Sequence, residues 1–342
     1  MTSKSPNKAK KYLLIFIKAT LVFAIIYYLV HSDKLDLSKL SLLYLNPGLT
    51  LTVFLCIFLG MNLVATYRWQ LLMEAQGQKI PLKTLFNIIW VGQFFSTVLP
   101  GTFSLDGVKA YYVIKETRNR ATKTQCLTAL IVERISGMAA MLTLSATGLL
   151  WYFDVAMQVP GIKILGIFVF AVLAGILVFF GLIFFPFDHQ NDPLVLLLLR
   201  LPLNSVTTRI YQAFRQYRLH KKALVMGLLI SLLVQASLIF LFFLIAQVLC
   251  KGSMPVSAYL FTVPIGELST IVPLGPGGIG VGHVAYDYLF GAMGMQGGAD
   301  AFNHFTIIRL LVGLFGGIPY LLFLQQGVRF QADEPGIETP NA

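Results

Sequence analysis

Two uninterrupted apolar stretches constrain this chain of 342 residues more than any other feature of its sequence. Ile164–Phe185 contains no polar side chain, and Ala223–Cys250 contains no charged one. A helix of about 20 apolar residues crosses the hydrocarbon core of a bilayer. Charged residues make up only 12% of the chain, against about 25% in soluble domains, which is too few to cover a water-exposed surface. We therefore expect an integral membrane protein.

Further spans follow from the same hydropathy pattern. Four more stretches are apolar and long enough to cross the membrane: Tyr12–Val30, Leu49–Thr66, Thr124–Tyr152 and Phe302–Leu324. Thr84–Lys115 and Val256–Met295 are also apolar, but proline and glycine interrupt each near its middle. We expect each of these two to form a pair of helices that meet at a break inside the membrane. The predicted fold class is an all-α polytopic membrane protein with about eight to ten membrane helices, including the two broken hairpins.

Lysine and arginine lie mostly on one side of the predicted spans. Eighteen of the 26 basic residues lie in four segments: four in residues 1–11, three in 68–83, five in 109–123 and six in 200–222. Arg329 brings the number on this side to nineteen. The opposite set of connections holds four. Because cytoplasmic connections carry the basic excess, the N-terminus is expected in the cytoplasm. The net charge of +11 thus reflects membrane topology, and no nucleic-acid partner is expected.

The domain organisation is simple. A single transmembrane domain over residues 12–324 is expected between short cytoplasmic tails, 1–11 and 325–342, with a basic cytoplasmic loop over 186–222. Within that loop, residues 204–222 place apolar side chains on one helical face and basic ones largely elsewhere. This pattern predicts an amphipathic helix on the anionic inner leaflet. A basic loop without a helix is the alternative reading of the same residues.

The two broken stretches are predicted to begin on opposite sides of the membrane, which favours an inverted-topology repeat. Ser96-Thr97-Val98-Leu99-Pro100 resembles Ser269-Thr270-Ile271-Val272-Pro273, and at the same offset of 173 residues Gly107-Val108 falls on Gly280-Val281. These are five identities in thirteen positions. Chance also produces such a match in apolar sequence rich in glycine, proline and serine.

Ionisable side chains at membrane depth are costly, so each needs a partner or a function. Glu133 and Arg134 lie within a span, and because neighbours on a helix point about 100° apart, we expect them to face different partners. Arg309 lies within the last span, and Glu267 precedes the second break.

The second break, Pro273–Gly280, contains two prolines and four glycines. These residues cannot continue a helix, so backbone groups are left free to line a cavity within the protein. The helix that restarts near Ile279 points its amides at the break, which suits a lipid phosphate. A nucleotide-binding P-loop is excluded because no Lys-Ser/Thr follows the glycines. Breaks and ion pairs of this kind also serve folding alone, and that reading stays open.

These observations define the candidate site. The candidate lipid-binding residues are Arg134, Arg309, Glu133, Glu267, Pro273, Gly275, Gly277, Gly278, Gly280, His283, Asp287, Asp106 and Lys109. His283 and Asp287 share a helical face after the second break, and Asp106 and Lys109 hold the analogous place after the first. The three cysteines are far apart and the five histidines form no cluster, so neither a metal nor a cofactor is expected.

Four motifs, in this order, resemble the lysylphosphatidylglycerol synthase transmembrane-region family of flippase-like proteins. They are Tyr67-Arg68-Trp69-Gln70-Leu71-Leu72, Leu99-Pro100-Gly101, Glu133-Arg134-Ile135-Ser136-Gly137 and Pro273 to Val281. The resemblance runs from about Leu13 to Leu324 and implies lipid translocation. In bifunctional members this region moves aminoacylated phosphatidylglycerol outward, and a separate cytosolic domain makes that lipid; here the membrane domain is expected alone.

The chain departs from the family pattern at two places. Asp106 and Lys109 stand where the family tends to have further glycines, then an acid and an arginine. His283 stands where the family usually carries glutamate. These departures imply a lipid other than a cationic aminoacyl lipid as a further possibility.

We expect a lipid flippase for an anionic or aminoacylated phospholipid or a polyprenyl-phosphate-type lipid. Arg134 and Arg309 would hold the phosphate, assisted by amides of the Pro273–Gly280 break. Glu267, Glu133 or Asp287 would contact a cationic headgroup or, with His283, carry a coupling proton.

Two other functions are weighed against this one. A membrane enzyme of polyprenyl-phosphate sugar metabolism would need carboxylate motifs such as DxD in the loops, and the loops contain none, so enzymatic activity is not expected. A non-catalytic accessory of glycolipid synthesis is the third reading. The partners expected are membrane lipids, together with a separate lipid synthase or a second copy of the chain.

Overall fold

The computed structural model describes residues 41–97, 103–116, 120–153, 158–184, 211–271, 278 and 280–326. The predicted first span at 12–30, most of the basic loop and the C-terminal tail lie outside the described residues, so the predictions made for them stay predictions.

Helices make up most of the described chain, which confirms the predicted all-α class. They are α1 (Ser41–Leu45), α2 (Pro47–Leu55), α3 (Asn62–Glu74), α4 (Leu82–Ser96), α5 (Phe103–Glu116), α6 (Arg120–Trp151), α7 (Pro160–Phe184), α8 (Lys221–Leu249), α9 (Val256–Ser269), α10 (Val281–Ala292), α11 (Gly298–Phe315) and α12 (Gly317–Gln326). A π-helical segment, Cys56–Met61, joins α2 to α3, and a 3-10 turn, Tyr217–His220, precedes α8. Two short strands, β1 (Lys251–Gly252) and β2 (Met295–Gln296), pair antiparallel.

Five helical stretches of the described chain are long and apolar enough to cross a membrane. They are Pro47–Glu74, Lys123–Trp151, Gly161–Gly181, Tyr211–Leu249 and Gly298–Leu322. Only 6% of the residues in the most apolar window, in α7, are buried by the described part of the chain, as is typical of a helix with a face toward lipid. The protein is therefore a polytopic membrane protein, as predicted.

Both interrupted stretches form pairs of packed helices, α4 with α5 and α9 with α10. The first helix of each pair ends in the same way. Hydroxyls of Ser96 and Thr97 donate to carbonyl oxygens three residues back, at 2.7 Å each. Ser269 and Thr270 do the same, at 2.6 and 2.7 Å. The Ser-Thr pair repeated in sequence therefore occupies the same structural position, at the point where each hairpin breaks.

The offset of 173 residues extends well beyond that motif. Residues 47–74 shifted by 173 positions cover 220–247, where α8 spans 221–249. Likewise α4 shifts to 255–269, where α9 spans 256–269. When 173 is added to their bounds, α5 overlaps α10 and α6 overlaps the α11–α12 pair. Leu72 of α3 lies beside Gly227 of α8, while Arg68, one turn earlier in α3, binds Ser231, one turn later in α8. These equivalent helices therefore run in opposite directions, as an inverted repeat requires.

Helix packing follows the same repeat. In the first unit α3 packs against α4 and α6, and in the second unit the equivalent helix α8 packs against α9 and α11. The last helix of each unit crosses the first hairpin helix of the other, α6 over α9 and α11–α12 over α4. Glycine permits each crossing: a Cβ at Gly148 would lie 2.8 Å from the Phe261 nitrogen, and one at Gly316 would clash with the Trp90 carbonyl. The two units are thus interlocked through close backbone contacts.

The end of α8 is fastened to the start of α11. Strands β1 and β2 pair there, and the Cys250 thiol donates to the Gly297 carbonyl oxygen at 3.3 Å. Burial raises the pKa of Cys250 to about 11, so the thiol stays protonated and able to donate.

Candidate functional site

The first cluster of charged residues joins α3, α5 and α6 around one carboxylate. Glu133 lies 2.9 Å from Arg68 Nη2 and 2.9 Å from Lys109 Nζ. Arg68 Nη1 also donates to the Ser231 hydroxyl of α8 at 2.9 Å. The Lys109 ammonium lies 4.8 Å from the centre of the Trp69 ring. Four helices therefore meet at this polar group.

Burial makes this cluster energetically demanding. The side chains of Arg68, Lys109 and Glu133 are 12%, 4% and 5% exposed. Two cations and one carboxylate leave an excess of one positive charge. In addition, Arg68 Nε and Trp69 Nε1 have no hydrogen-bond acceptor among the described residues. Buried donors need acceptors. The excess positive charge and these two donors therefore enable the cluster to bind an anionic group or water.

Arg134 faces a different partner from its neighbour Glu133. Its Nε contacts the Asp106 carboxylate of α5, while Glu133 binds Arg68 and Lys109. The prediction that these adjacent residues diverge is therefore confirmed. Arg134 is 39% exposed and Asp106 is 22% exposed, so this pair is far more accessible than the Glu133 cluster.

The second cluster belongs to the other repeat unit. Arg309 Nη1 on α11 lies 3.3 Å from Glu267 Oε2 near the end of α9. The hydroxyl of Tyr286, a fully buried residue, lies 3.3 Å from Glu267 Oε1 and 3.2 Å from the Val263 carbonyl oxygen. The Arg309 guanidinium also lies 5.6 Å from the Phe305 ring centre. With side chains 23% and 12% exposed, the Arg309–Glu267 pair is partly accessible.

His283 stabilises the start of α10. The Gly280 amide donates to His283 Nδ1 at 3.1 Å, and His283 Nε2 contacts the Asn303 Oδ1 atom. Since Nδ1 accepts a hydrogen bond, a neutral ring carries its proton on Nε2, which donates to Asn303. The amide of Gly280 is therefore directed at His283, and in this conformation it is not available to a ligand.

The remaining candidates around the second break have distinct environments. Gly278 is buried with a φ of 77°, and a Cβ there would lie 2.8 Å from the Thr270 Cα. Asp287 is exposed on α10, one turn beyond His283. Pro273, Gly275 and Gly277 lie outside the described residues, as does the Leu99-Pro100-Gly101 motif.

Sequence reasoning missed Arg68, Ser231 and Tyr286 as participants, whereas Lys109 was one of its candidates. Arg68 and Lys109 were counted among the nineteen basic residues of one membrane side, but both lie within helices and pair with Glu133. Without these two, seventeen basic residues remain on the predicted cytoplasmic side against four on the other, and the expected orientation is unchanged. Ser231 and Tyr286 carry no sequence signal that distinguishes them from core residues. Among the described residues, no three His, Cys, Asp or Glu side chains are placed to hold a metal ion.

Comparison with known proteins assigns the chain to one family. A family model described as the lysylphosphatidylglycerol synthase TM region matches residues 15–317. Neither a curated protein nor a solved structure matches the chain. The match covers the first repeat unit, the second unit as far as the start of α12, and all of the charged residues described above.

Proposed function

This chain belongs to the lysylphosphatidylglycerol synthase transmembrane-region family, and on that premise we propose that it is a lipid flippase and not an enzyme. Its substrate is an anionic or aminoacylated phospholipid or a polyprenyl-phosphate-type lipid. It acts in a bacterial inner membrane, with its basic connections in the cytoplasm.

One observation carries the proposal: each repeat unit holds a partly accessible pair between an arginine of its last long helix and a carboxylate of its broken hairpin. Arg134 contacts Asp106 in the first unit, and Arg309 contacts Glu267 in the second. A guanidinium in the apolar part of a membrane requires an anion. It binds phosphate and carboxylate with the same paired hydrogen bonds, so an arriving lipid phosphate can replace the carboxylate without leaving the cation uncompensated.

The exchange assigns different roles to the carboxylates. Glu133 lies between two cations and is buried, so it holds the helices together and does not meet a headgroup. Glu267 is released when a phosphate takes Arg309, and it is then free to accept a proton or a cationic headgroup. Asp287, exposed one turn beyond His283, is a second acceptor near the same break.

The test is transport by purified protein in proteoliposomes, measured with a fluorescent phosphatidylglycerol that an impermeant reductant bleaches from outside. Replacement R309A is expected to slow transport about tenfold to hundredfold, since one hydrogen bond to a charged group contributes about 1.5–3 kcal/mol. Because R309A leaves Glu267 uncompensated, the double variant E267A/R309A, which removes both charges, is tested beside it.

Folding is followed by thermal unfolding of each variant. The double variant is expected to unfold near the wild-type temperature and still fail to transport. A folded E267A/R309A protein that transports at the wild-type rate overturns the proposed role of Arg309. K163Q serves as the control, because Lys163 is exposed on α7 away from both clusters.

A further inference from the structure

A groove on the lipid-facing side of the protein has the shape and charge of a phospholipid site. It lies between α6, α7 and α8 and encloses about 360 Å³. We propose that this groove holds one acyl chain of an anionic phospholipid of the cytoplasmic leaflet, whose phosphate binds Lys221. The inference rests on the proposed function, in which it is the position from which the lipid is loaded.

The groove is apolar along most of its length. Its α7 wall runs from Leu173 to Phe184, and Leu224, Val225 and Leu228 form the α8 wall. Leu173 and Phe184 are eleven positions apart, which corresponds to about 16 Å along a helix and is close to half of the roughly 30 Å hydrocarbon thickness. A groove of this length and lining fits the acyl chain of one leaflet.

A basic hollow adjoins the apolar groove at Lys221. Lys221 lines both: its ammonium lies 6.0 Å from the Phe184 ring at the end of the groove, and it also lines a hollow of about 550 Å³. Arg218, His220 and Lys222 line that hollow, with Glu74 as the acid among its lining residues. An apolar groove and a basic hollow that share Lys221 match a lipid that has an acyl chain and a phosphate.

The groove also leads toward the first charged cluster. Ser136 of α6 lines the groove, and a Cβ at the next residue, Gly137, would lie 3.9 Å from Arg68 Nη1. On α8, Ser231 binds Arg68 and lies three residues beyond the groove residue Leu228. A lipid held at Lys221 therefore lies against α6 and α8, which contribute Glu133 and Ser231 to the first charged cluster.

The binding experiment uses full-length protein reconstituted in bilayers of phosphatidylcholine with a minor share of phosphatidylglycerol. Lipid that stays with the protein after extraction is identified by native mass spectrometry. Wild type is expected to retain phosphatidylglycerol above its share of the bilayer. K221Q is expected to lower that enrichment about fivefold, the factor that one lysine contributes near an anionic surface. K251Q, at an exposed lysine beyond the other end of α8, is expected to leave it unchanged.

Two adjacent residues provide a matched test of the apolar slot. Leu228 lines the groove and its neighbour Leu229 does not. Both side chains are exposed, at 37% and 52%, so a substitution at either position adds bulk at the surface and only the one at Leu228 adds it to the groove. L228W fills the slot and is expected to reduce retained lipid of both kinds, while L229W is expected to retain the wild-type amount. Equal retention by L228W and L229W, or a wild-type enrichment in K221Q, overturns the proposal, because another segment of this chain then occupies the groove or the bound lipid lies elsewhere.

The outcomes distinguish this site from the proposed function. If R309A blocks transport while K221Q keeps the wild-type enrichment, transport stands and the groove is refuted. If K221Q loses the enrichment while E267A/R309A transports normally, the groove binds lipid and the proposed arginine exchange is refuted.

Discussion

The buried carboxylate of Glu133 offers the most direct test of how this protein holds its charged residues within the membrane. Replacement E133Q keeps the size of the side chain and removes its charge. Arg68 and Lys109, with side chains 12% and 4% exposed, are then left with no compensating anion in the cluster. The three contacts at 2.9–3.1 Å that join them to Glu133 lose their ionic component.

The expected cost follows from this geometry. Removing one partner of a buried ion pair destabilises a protein by about 3–5 kcal/mol, because the remaining charge is buried without compensation. At about 2 °C for each kcal/mol in a large chain, the melting temperature should fall by about 6–10 °C. The matched control is E74Q, since Glu74 is exposed at the end of α3 and its loss should leave the melting temperature unchanged.

The measurement is thermal unfolding of the purified protein in detergent. A second variant, K109M/E133Q, removes a cation together with the carboxylate and restores the original net charge of the cluster. It should recover at least half of the loss seen in E133Q. If E133Q melts at the wild-type temperature, or if the double variant is less stable than the single one, the cluster does not depend on charge compensation and the reasoning is wrong.

Two further predictions concern glycines. G148V should destabilise the crossing of α6 and α9, because a Cβ at Gly148 would lie only 2.8 Å from the Phe261 nitrogen. The control is G175V, which should melt close to the wild-type temperature because a Cβ at Gly175 would have no neighbour within 4 Å. G278A should lower the melting temperature and slow transport together, since it combines a φ of 77° with a Cβ 2.8 Å from the Thr270 Cα. A wild-type melting temperature for G148V, or a wild-type transport rate for G278A, would contradict the steric argument. G175A is the control for G278A.

Much of the fold was predictable because it depends on local composition. Long apolar runs predicted the spans that the structure contains, since a helix satisfies its own backbone hydrogen bonds within the bilayer. The two broken hairpins were predicted from proline and glycine at their centres. The five identities at an offset of 173 residues were weak evidence alone. The matching hydroxyl hydrogen bonds of Ser96 and Ser269 and the matching helix bounds make the repeat definite.

The candidate site was predictable only in part. Glu133, Arg134, Glu267 and Arg309 were identified because ionisable residues are rare at membrane depth. Which of them pair with one another was not predicted, because which side chains meet depends on the rotation of each helix about its axis and on helices that lie far apart in the chain. Arg68 illustrates the limit: its place near a basic segment indicated the membrane surface, yet it pairs with a buried carboxylate 65 residues away in sequence.

The sequence by itself determined that this is a polytopic membrane protein, where its helices lie, where two hairpins break and which charged residues need partners. Hydropathy and helix breaking are local properties, so the residues themselves carry them. The tertiary structure decided that four helices meet at the cluster around Glu133, that Arg134 and Arg309 remain partly accessible, and that Lys221 lines both a basic hollow and an apolar groove. These features arise from the packing of helices distant in sequence, and the order of residues along the chain does not record them.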